Sequence, residues 1–257
     1  MDGLGRESQP GGNDFVVLQQ ASISEVVVVI PARNEGALVQ HCLDALALAA
    51  LDLRVHAPDV RLHSVVVLDS CTDQTADVVA ADPKVTAVSA EYANVGASRA
   101  LGVLLGLSVV EADASSVWIA NTDADSRVPV NWLTTQVAIA AAGVDAILGS
   151  VQPNLVELTD REVRAWHALH PRGPSVGTVH GTNLGVRAST YLQLGGFAAL
   201  TEHEDVDLVS RLRASGARVQ ATGAMPVRTS ARKTGRTPGG YAGYVRDLVN
   251  VQYADRV

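Results

Sequence analysis

Short apolar runs alternate with longer amphipathic stretches along the first half of the chain. Residues 25–30 form an almost wholly β-branched run, typical of a strand buried on both faces of a parallel sheet, and residues 65–68 and 117–120 repeat the pattern. Between these runs, residues 38–50 and 97–110 carry apolar side chains at helical spacing. Strands that alternate with helices predict an α/β fold: one doubly wound, mostly parallel sheet flanked by helices.

Patterns in the second half are less regular. Residues 129–142 predict a helix with Pro129 in its first turn, where proline is tolerated. The remaining expectations are a short helix from about residue 72, strands at 85–88, 146–151 and 181–187, helices at 201–215 and 241–257, and a basic, mobile loop at 228–240 that is rich in Gly, Thr and Pro.

The polar, Gly-rich residues 1–22 predict a flexible tail. They lack the basic start and apolar centre of a signal peptide, and no run of about 18 apolar residues follows, so the sequence predicts a cytoplasmic protein without a transmembrane segment. Contact with a membrane surface stays open. Cys42 and Cys71 have no CxxC spacing and are expected to be reduced thiols.

The net charge of -7 restricts the class of ligand. A nucleic-acid-binding protein would present a basic face, so this class is disfavoured. An acidic protein that binds phosphate needs local help from a metal ion, backbone N–H groups or a few placed arginines.

Three polar clusters each follow an apolar strand and precede a helix, at residues 31–35, 69–73 and 122–126. One such cluster is weak evidence, because turns before helices favour Asp, Ser and Asn as caps. Three clusters at one edge of an open α/β sheet predict a ligand site there.

Asp123 and Asp125 lie two residues apart in the third cluster. Two carboxylates so spaced can bind one hard cation and leave positions for phosphate oxygens, which suits Mg²⁺ or Mn²⁺. The alternative is ordinary turn and cap chemistry. Their place directly after an apolar strand favours the metal site.

Glu204 and Asp205 begin the predicted helix at 201–215. Thr201 and Glu204 fit a capping box, and acidic residues suit the start of a helix dipole. That alternative does not account well for Asp205, which is a candidate general base.

Seven motifs, in their order along residues 24–215, resemble the inverting family-2 glycosyltransferases. They are VIPARNE at 29–35, DSCTDQT at 69–75, NVGASR at 94–99, DAD at 123–125, GTNLGVR at 181–187, GGF at 195–197 and EDVDL at 204–208. The resemblance implies a GT-A fold and transfer of a sugar, of the hexosyltransferase type, from a nucleotide-diphosphate sugar to an acceptor hydroxyl.

The resemblance also implies roles for individual residues on the donor side. Pro31, Ala32 and Glu35 would line the nucleoside pocket. Asp69 would hydrogen-bond the base, and Arg99 would lie near the base or the diphosphate. UDP is the expected nucleotide, with GDP and dTDP open.

For the reacting groups, the resemblance implies that Asp123 faces ribose or metal, that Asp125 coordinates Mn²⁺ or Mg²⁺ and that Asp205 deprotonates the acceptor. The sequence departs from the processive members, because residues 210–213 read SRLR where a QxxRW motif would follow, and their membrane helices are absent. A single transfer is therefore expected. The resemblance divides a GT-A domain at 23–257 into a nucleotide-sugar half at about 23–126, an acceptor half at about 127–227 and a basic loop with a terminal helix at 228–257.

Two other features have competing interpretations. His180 and His203 could complete a metal shell or be ordinary polar histidines. The basic side chains of the late loop could close over the diphosphate, since Arg matches phosphate oxygens, or form a solvated loop; they are Arg228, Arg232, Lys233 and Arg236.

Two other functions stay open. A catalytically inactive protein could bind a nucleotide sugar without transferring it. The other is a sugar nucleotidyltransferase, which would normally carry a Gly-rich basic loop after the first strand, where this chain has residues 31–35. A Rossmann dehydrogenase would need GxGxxG at the same turn, and that motif is absent.

Overall fold

The computed structural model describes residues 22–235 and 239–254. The predicted flexibility of residues 1–21 and the expected role of Arg236 lie outside these ranges. Within them, no helix is long and apolar enough to cross a bilayer.

The described chain alternates strands and helices. The strands are β1 (Glu25–Ala32), β2 (Arg61–Asp69), β3 (Thr86–Ala90), β4 (Val117–Asn121), β5 (Ser126–Arg127), β6 (Ala146–Pro153), β7 (Leu184–Arg187) and β8 (Val219–Thr229). The α-helices are α1 (Val39–His56), α2 (Thr75–Ala80), α3 (Val95–Ser108), α4 (Trp132–Ala141), α5 (Asp160–Leu169), α6 (Ala188–Gln193), α7 (Glu204–Ala214) and α8 (Tyr241–Ala254).

All eight strands form a single sheet in the order β3-β2-β1-β4-β7-β6-β8-β5. The first four strands in this order are parallel to one another, and β1 lies between β2 and β4. The second half is mixed: β7 is antiparallel to both β4 and β6, β6 is parallel to β8, and β5 is antiparallel to β8. The predicted α/β class and single flanked sheet are confirmed.

Strand β1 is buried on both faces, as its β-branched run predicts. Val26, Val28 and Ile30 belong to one core cluster, which also takes side chains of α1 and α4. Val27 and Val29 belong to a second cluster on the opposite face, with side chains of α3 and α7. Because successive strand residues point to opposite faces, one continuous apolar run supplies both cores.

Helix α3 lies unusually close to β1 because two glycines face the strand. A Cβ atom at Gly106 would be 2.2 Å from Cγ1 of Val27, and one at Gly102 would be 2.5 Å from Cγ1 of Val29. The spacing of four residues places both glycines on one side of the helix. This contact holds the middle and C-terminal part of α3 against β1, while the N-terminal end of α3 faces the cavity.

Several expectations for the second half were wrong. Helix α4 begins at Trp132, and Pro129 lies in the preceding turn, where its carbonyl accepts a hydrogen bond from Trp132 N at 3.0 Å. The predicted loop at 228–240 begins inside β8, so Arg228 is a strand residue paired with β5. Strands β5 and β8 and helices α5 and α6 were not predicted.

The predicted capping box between Thr201 and Glu204 does not form. Helix α7 begins at Glu204 after His203, which has a left-handed backbone (φ 63°) and no side-chain cap. Glu204 is instead buried, with Oε1 3.3 Å from Nη1 of Arg99. A capping box does occur at α5, where Thr159 and Glu162 each hydrogen-bond the other's backbone N–H.

Candidate functional site

A cavity of about 860 Å³ opens at the carboxyl ends of β1, β2 and β4. This edge is where open α/β sheets bind ligands. The residues given donor, metal or base roles from the sequence lie in its wall: Pro31, Ala32, Glu35, Asp69, Arg99, Asp123, Asp125 and Asp205. Arg228 and Lys233 of the basic segment do not line it. The three polar clusters therefore do converge on one place, although their roles remain predictions.

The carboxylate of Asp69, at the end of β2, organises the loop that leads into α3. It is 4% exposed and accepts hydrogen bonds of 2.8 to 3.0 Å from the hydroxyls of Ser70 and Ser98 and the backbone N–H groups of Tyr92, Ala93 and Asn94. Burial works to raise the pKa of Asp69, and these hydrogen bonds outweigh it, so the pKa lies below its ordinary value. This carboxylate is ionised at neutral pH and already holds five donors.

Arg99 connects α3 to both acidic motifs. Its guanidinium is buried, with Nη2 2.5 Å from Oδ1 of Asp123 and Nη1 3.3 Å from Oε1 of Glu204. The backbone of Gly181 passes directly beside it, since a Cβ atom there would be 1.7 Å from Arg99 Nη1. Arg99 thus fixes the position of the turn after β4 relative to the start of α7.

Arg232 lies between two of the predicted site residues. Its Nη1 donates to both carboxylate oxygens of Glu35 at 2.8 and 2.9 Å, and its Nη2 is 2.9 Å from Oδ2 of Asp125. Glu35 is 197 residues away in sequence, at the turn after β1. A cation from the late part of the chain therefore neutralises carboxylates held by the first and third polar clusters.

The electrostatics of Asp125 reflect these neighbours. Its side chain is only 11% exposed, and burial raises its pKa to about 6. Arg232 works in the opposite direction, and the negative charges of Asp123 and Glu35 raise the pKa further. A buried carboxylate among like charges gains from any additional cation placed beside it.

A line of buried hydroxyl groups supports Asp125 from behind. Thr182 donates to Ser126 at 2.9 Å, Ser126 donates to Thr229 at 2.9 Å, and Thr229 donates to Oδ1 of Asp125 at 3.3 Å. The hydroxyl of Thr182 also accepts from Asp123 N at 3.2 Å. These hydroxyls fix the turn at 123–125 through β8 and the residues before β7. Sequence analysis missed Ser126 and Thr229 in this role, because their partners are distant in sequence.

The donor set fits a divalent cation that is shared with a ligand. Asp123 and Asp125 supply hard oxygens, and the pKa of Asp125 is raised first by its burial and then by the negative charges of Asp123 and Glu35. Within residues 22–235 and 239–254, no group of three or more His, Cys, Asp or Glu side chains is arranged to hold a metal by itself. Mg²⁺ and Mn²⁺ are often held by one or two carboxylates, with phosphate and water completing the shell.

The two histidines differ in their surroundings. His180 is half-buried near Asp123 and Asp205, and burial lowers its pKa below the ordinary value of 6.5. His203 is 64% exposed, with Nε2 3.9 Å from Oε2 of Glu202. Both line the cavity, so their role as metal ligands stays a prediction.

Asp205 lies in the cavity wall, in the first turn of α7. Its Oδ2 accepts a hydrogen bond from Gly181 N at 2.6 Å, and its Oδ1 accepts from Val206 N at 2.8 Å. The side chain is half-buried and keeps contact with the cavity. A carboxylate held by two backbone donors beside an open space has the placement a general base needs.

The two cysteines are free thiols, as expected. The Sγ atom of Cys42 donates to Asp123 O at 3.4 Å, and burial raises its pKa above the usual range. Cys42 is therefore a protonated structural residue beneath the acidic turn.

Comparisons with known proteins identify the family of this chain and its fold. A family model described as glycosyl transferase family 2 matches residues 27–190. A curated protein, the probable glycosyltransferase YdaM of Bacillus subtilis strain 168, is 22% identical over 202 residues, which are 74% of this chain and 47% of that protein. The chain thus spans about half the length of this relative.

Solved structures show the same fold. A mannosyltransferase, PcManGT from Pyrobaculum calidifontis in complex with GDP-Man and Mn²⁺, matches at TM-score 0.57 and 21% identity, over 90% of this chain and 64% of that one. Residues 1–349 of S. aureus TarS match at TM-score 0.55 and 16% identity, over 89% and 65%. Glucosyl-3-phosphoglycerate synthase from Mycobacterium tuberculosis, with Mn²⁺, UDP and phosphoglyceric acid, matches at TM-score 0.53 and 16% identity, over 90% and 78%. At these identities the likeness concerns the fold, which is GT-A.

Proposed function

The chain belongs to glycosyl transferase family 2, and from that premise we propose that it transfers a sugar from a nucleotide-diphosphate sugar to an acceptor hydroxyl, with inversion and with a divalent metal ion. The observation that carries the proposal is the placement of Asp125 and Asp205 in one cavity, one at the strand edge and one at the start of α7. The first suits the leaving diphosphate, and the second suits the incoming hydroxyl.

On the donor side, the turns after β1, β2 and β4 form the wall of the cavity. Asp123 and Asp125 would hold Mn²⁺ or Mg²⁺, and the bound metal would offset the negative charge that develops on the leaving diphosphate. Pro31, Ala32 and Glu35 would line the nucleoside pocket. Asp69 would help to bind the nucleobase through the loop that it orders, because its two oxygens already accept five hydrogen bonds.

On the acceptor side, Asp205 would accept the proton of the attacking hydroxyl. The new bond joins that oxygen to the anomeric carbon, and the bond from the anomeric carbon to the diphosphate oxygen breaks. Attack from the face opposite the leaving group inverts the configuration. The hydrogen bonds from Gly181 and Val206 hold Asp205 in place while the proton moves.

The choice of donor nucleotide rests on solved structures of the same fold. The solved relatives of the same fold include one with GDP-Man and Mn²⁺ and others with UDP or UDP-glucose and Mn²⁺. We take a UDP-sugar as the first candidate and a hexosyl group as the transferred unit. The donor half would end near residue 126, the acceptor half near residue 227, and the remaining residues would close the cavity.

A thermal-shift experiment with UDP-glucose, GDP-mannose and Mn²⁺ tests the proposal. A donor at a hundred times its Kd should stabilise the protein by about 2.7 kcal/mol, and only when the metal is present. Asp125→Asn should abolish the gain, whereas Asp77→Asn, at an exposed site in α2, should preserve it. Equal stabilisation in excess EDTA would remove the metal from the proposal.

Product release separates the three functions that the sequence leaves open. A transferase should release a nucleoside diphosphate from the donor, slowly with water and faster with an acceptor. A catalytically inactive binding protein should release none. A nucleotidyltransferase should instead form pyrophosphate from a nucleoside triphosphate and a sugar phosphate.

A further inference from the structure

Aromatic rings are concentrated along one wall of the cavity, although Phe, Trp and Tyr make up only 4% of the chain. Five rings follow one another in contact, and we call them the ring ladder: His180, Tyr241, Tyr244, His170 and Trp166. Successive ring centroids are 5.8, 5.4, 6.1 and 4.8 Å apart. The ladder joins helices α5 and α8 to the loop before β7.

The ring ladder begins at the candidate base and leads away from it. His180 precedes Gly181, whose N–H holds Asp205 at 2.6 Å. The first four rings line the cavity, and Trp166 lies behind them, 3% exposed and stacked on His170 at an interplanar angle of 18°. The side chains of Tyr241, Tyr244 and His170 are half-buried, so each keeps part of its surface open to the cavity.

The charges along this wall differ from those on the donor side. The arginines among the described lining residues are Arg33, Arg99 and Arg232, and the last two pair with acids at the strand edge. Near the ring ladder in sequence, the lining residues Ser175, Thr178, Val179 and Ala242 carry no charge, whereas Glu202 and His203 lie against Gly239, just before Tyr241. Arg33 follows β1 on the donor side, so none of the described lining residues beside the ring ladder is a lysine or arginine that would pair with a phosphorylated or carboxylated acceptor.

We propose that the ring ladder is the acceptor subsite and that it takes a neutral carbohydrate, a glycoside whose apolar C–H face lies against the rings of Tyr241 and Tyr244. The negative face of an aromatic ring attracts the weakly positive C–H groups of a sugar, while hydroxyls at the ring edge find polar partners. A sugar in this place presents a hydroxyl toward Asp205. The inference rests on the proposed function, since it assigns the acceptor of the same site.

Direct binding to the full chain tests the ring ladder without any turnover. The probes are methyl glycosides of glucose, galactose and mannose, with 3-phosphoglycerate as the anionic comparison, measured by saturation-transfer NMR and by titration. At least one glycoside should bind, with the strongest saturation on the C–H protons of one ring face, and 3-phosphoglycerate should bind at least tenfold more weakly.

Variants of the two tyrosines show whether the glycoside binds at the ring ladder. Tyr244→Ala should raise the Kd of the glycoside by about tenfold, whereas Tyr244→Phe should keep it within about twofold, because the ring rather than the hydroxyl makes the contact. Tyr92→Ala removes a half-exposed tyrosine outside the cavity wall and is the matched control. If Tyr244→Ala fails to fold, Tyr241→Leu gives a second test of the same wall.

The outcomes for the acceptor and the donor are distinct. If no glycoside binds, or if 3-phosphoglycerate binds more tightly, the ring ladder is not a carbohydrate subsite, even where the donor and Mn²⁺ still stabilise the protein. Loss of donor binding would instead remove the proposed function. Equal glycoside binding by Tyr244→Ala and the wild type would also overturn the inference.

Discussion

The side chain of Asp205 owes its place to the residues on either side of it in α7. Glu204 turns inward to Arg99 and is 4% exposed, whereas Val206 is 46% exposed. Since successive helix residues are about 100° apart, Asp205 is left between core and solvent, facing the cavity. The buried ion pair of Glu204 therefore sets the direction of its neighbour.

We predict that Asp205→Asn lowers turnover by roughly 10²- to 10⁴-fold, because the amide cannot accept the proton of the acceptor. Donor binding should persist, since Asn keeps an oxygen for the N–H of Gly181. Steady-state rates with acceptor, alongside thermal shifts with donor and Mn²⁺, measure both effects. Asp207→Asn is the matched control, as Asp207 pairs with Arg211 outside the cavity wall. Normal transfer by Asp205→Asn would remove this residue from the mechanism.

A pH dependence follows from Asp125, whose pKa burial raises to about 6. A metal ion requires the ionised carboxylate, so affinity for donor and Mn²⁺ should be constant above pH 7 and fall as the pH drops through 6, approaching tenfold per unit. Calorimetric titrations at pH 5, 6 and 7.5 check this. UDP-glucose is the better probe, because its diphosphate has no proton that titrates near pH 6. Unchanged affinity at pH 5 would contradict the prediction.

Without donor and metal, the raised pKa of Asp125 acts on the stability of the protein, and this stability should fall as the pH rises. Between the ordinary value of 3.8 and about 6, the native carboxyl of Asp125 holds a proton that the unfolded one has lost. This residue therefore contributes a loss of stability as the pH rises through that window.

At the scale of single elements, predictability follows the hydrophobic signal. Strands β1, β2 and β4 are buried on both faces, so their apolar runs identified them. Strand β8 is largely exposed over its first six residues and contains Gly223 and Pro226, so neither alternation nor β-branched enrichment marks it. Helix α5 was missed although its capping box is visible in the sequence at Thr159 and Glu162.

In the candidate site too, the residues that could be predicted are those that follow a strong hydrophobic pattern. Residues that follow apolar strands, such as Asp69 and Asp125, could be placed at the sheet edge from their position alone. The contact of Arg232 with Glu35 could not, because it joins residues 197 apart through a loop without a periodic pattern. The ring ladder was missed for a related reason, as its members come from three separate segments of the second half.

The amino end of the sheet supplies a test that is independent of function. Glu25, at the start of β1, accepts hydrogen bonds from Arg61, His63 and the N–H groups of residues 111 and 112. Burial works to raise its pKa, and these partners outweigh it, so the pKa falls from 4.5 to about 2. This carboxylate ties β1 to β2 and to the loop before β4.

We predict that Glu25→Gln lowers the free energy of unfolding by up to about 3 kcal/mol at pH 7. The native pKa is depressed, so the wild-type advantage is complete above about 4.5 and is lost as the pH falls toward 2. Urea denaturation at pH 7 and 3.5 should show the difference shrinking at the lower pH. Glu111→Gln, a 79% exposed partner of Arg61, should have little effect at either pH.

The close approach of α3 to β1 gives a second prediction for the elements. Gly106→Ala should destabilise the protein by about 1–3 kcal/mol, because the new methyl group would meet Cγ1 of Val27. This clash outweighs the roughly 1 kcal/mol by which alanine favours a helix over glycine. In chemical denaturation, combining Gly106→Ala with Val27→Ala should cost less than the sum of the two single changes. Full additivity would show that the methyl group meets no resistance there.

Across the whole molecule, the cavity is the place where distant segments meet. The turn after β1, the turn after β4 and the segment after β8 are joined by one guanidinium, that of Arg232. The net charge is -7, so cations at the site must be placed individually. Arg232 lies between Glu35 and Asp125, whose negative charges would otherwise repel each other, and under the proposed function it would have to release Asp125 for a metal ion to bind there.

Replacing Arg232 should therefore change stability and metal binding in opposite directions. Arg232→Gln leaves Glu35 and Asp125 without their shared cation, so the unliganded protein should lose about 1–3 kcal/mol of stability. At pH 8, where both carboxylates are ionised, Mn²⁺ alone should bind this variant more tightly than the wild type, because no guanidinium has to be displaced. Thermal melts and manganese titrations by electron paramagnetic resonance measure the two effects. Lys233→Gln is the matched control, since Lys233 pairs with Glu162 and not with the acidic turn. If Mn²⁺ binds Arg232→Gln no better than Lys233→Gln, the guanidinium and the metal do not compete for the same carboxylates.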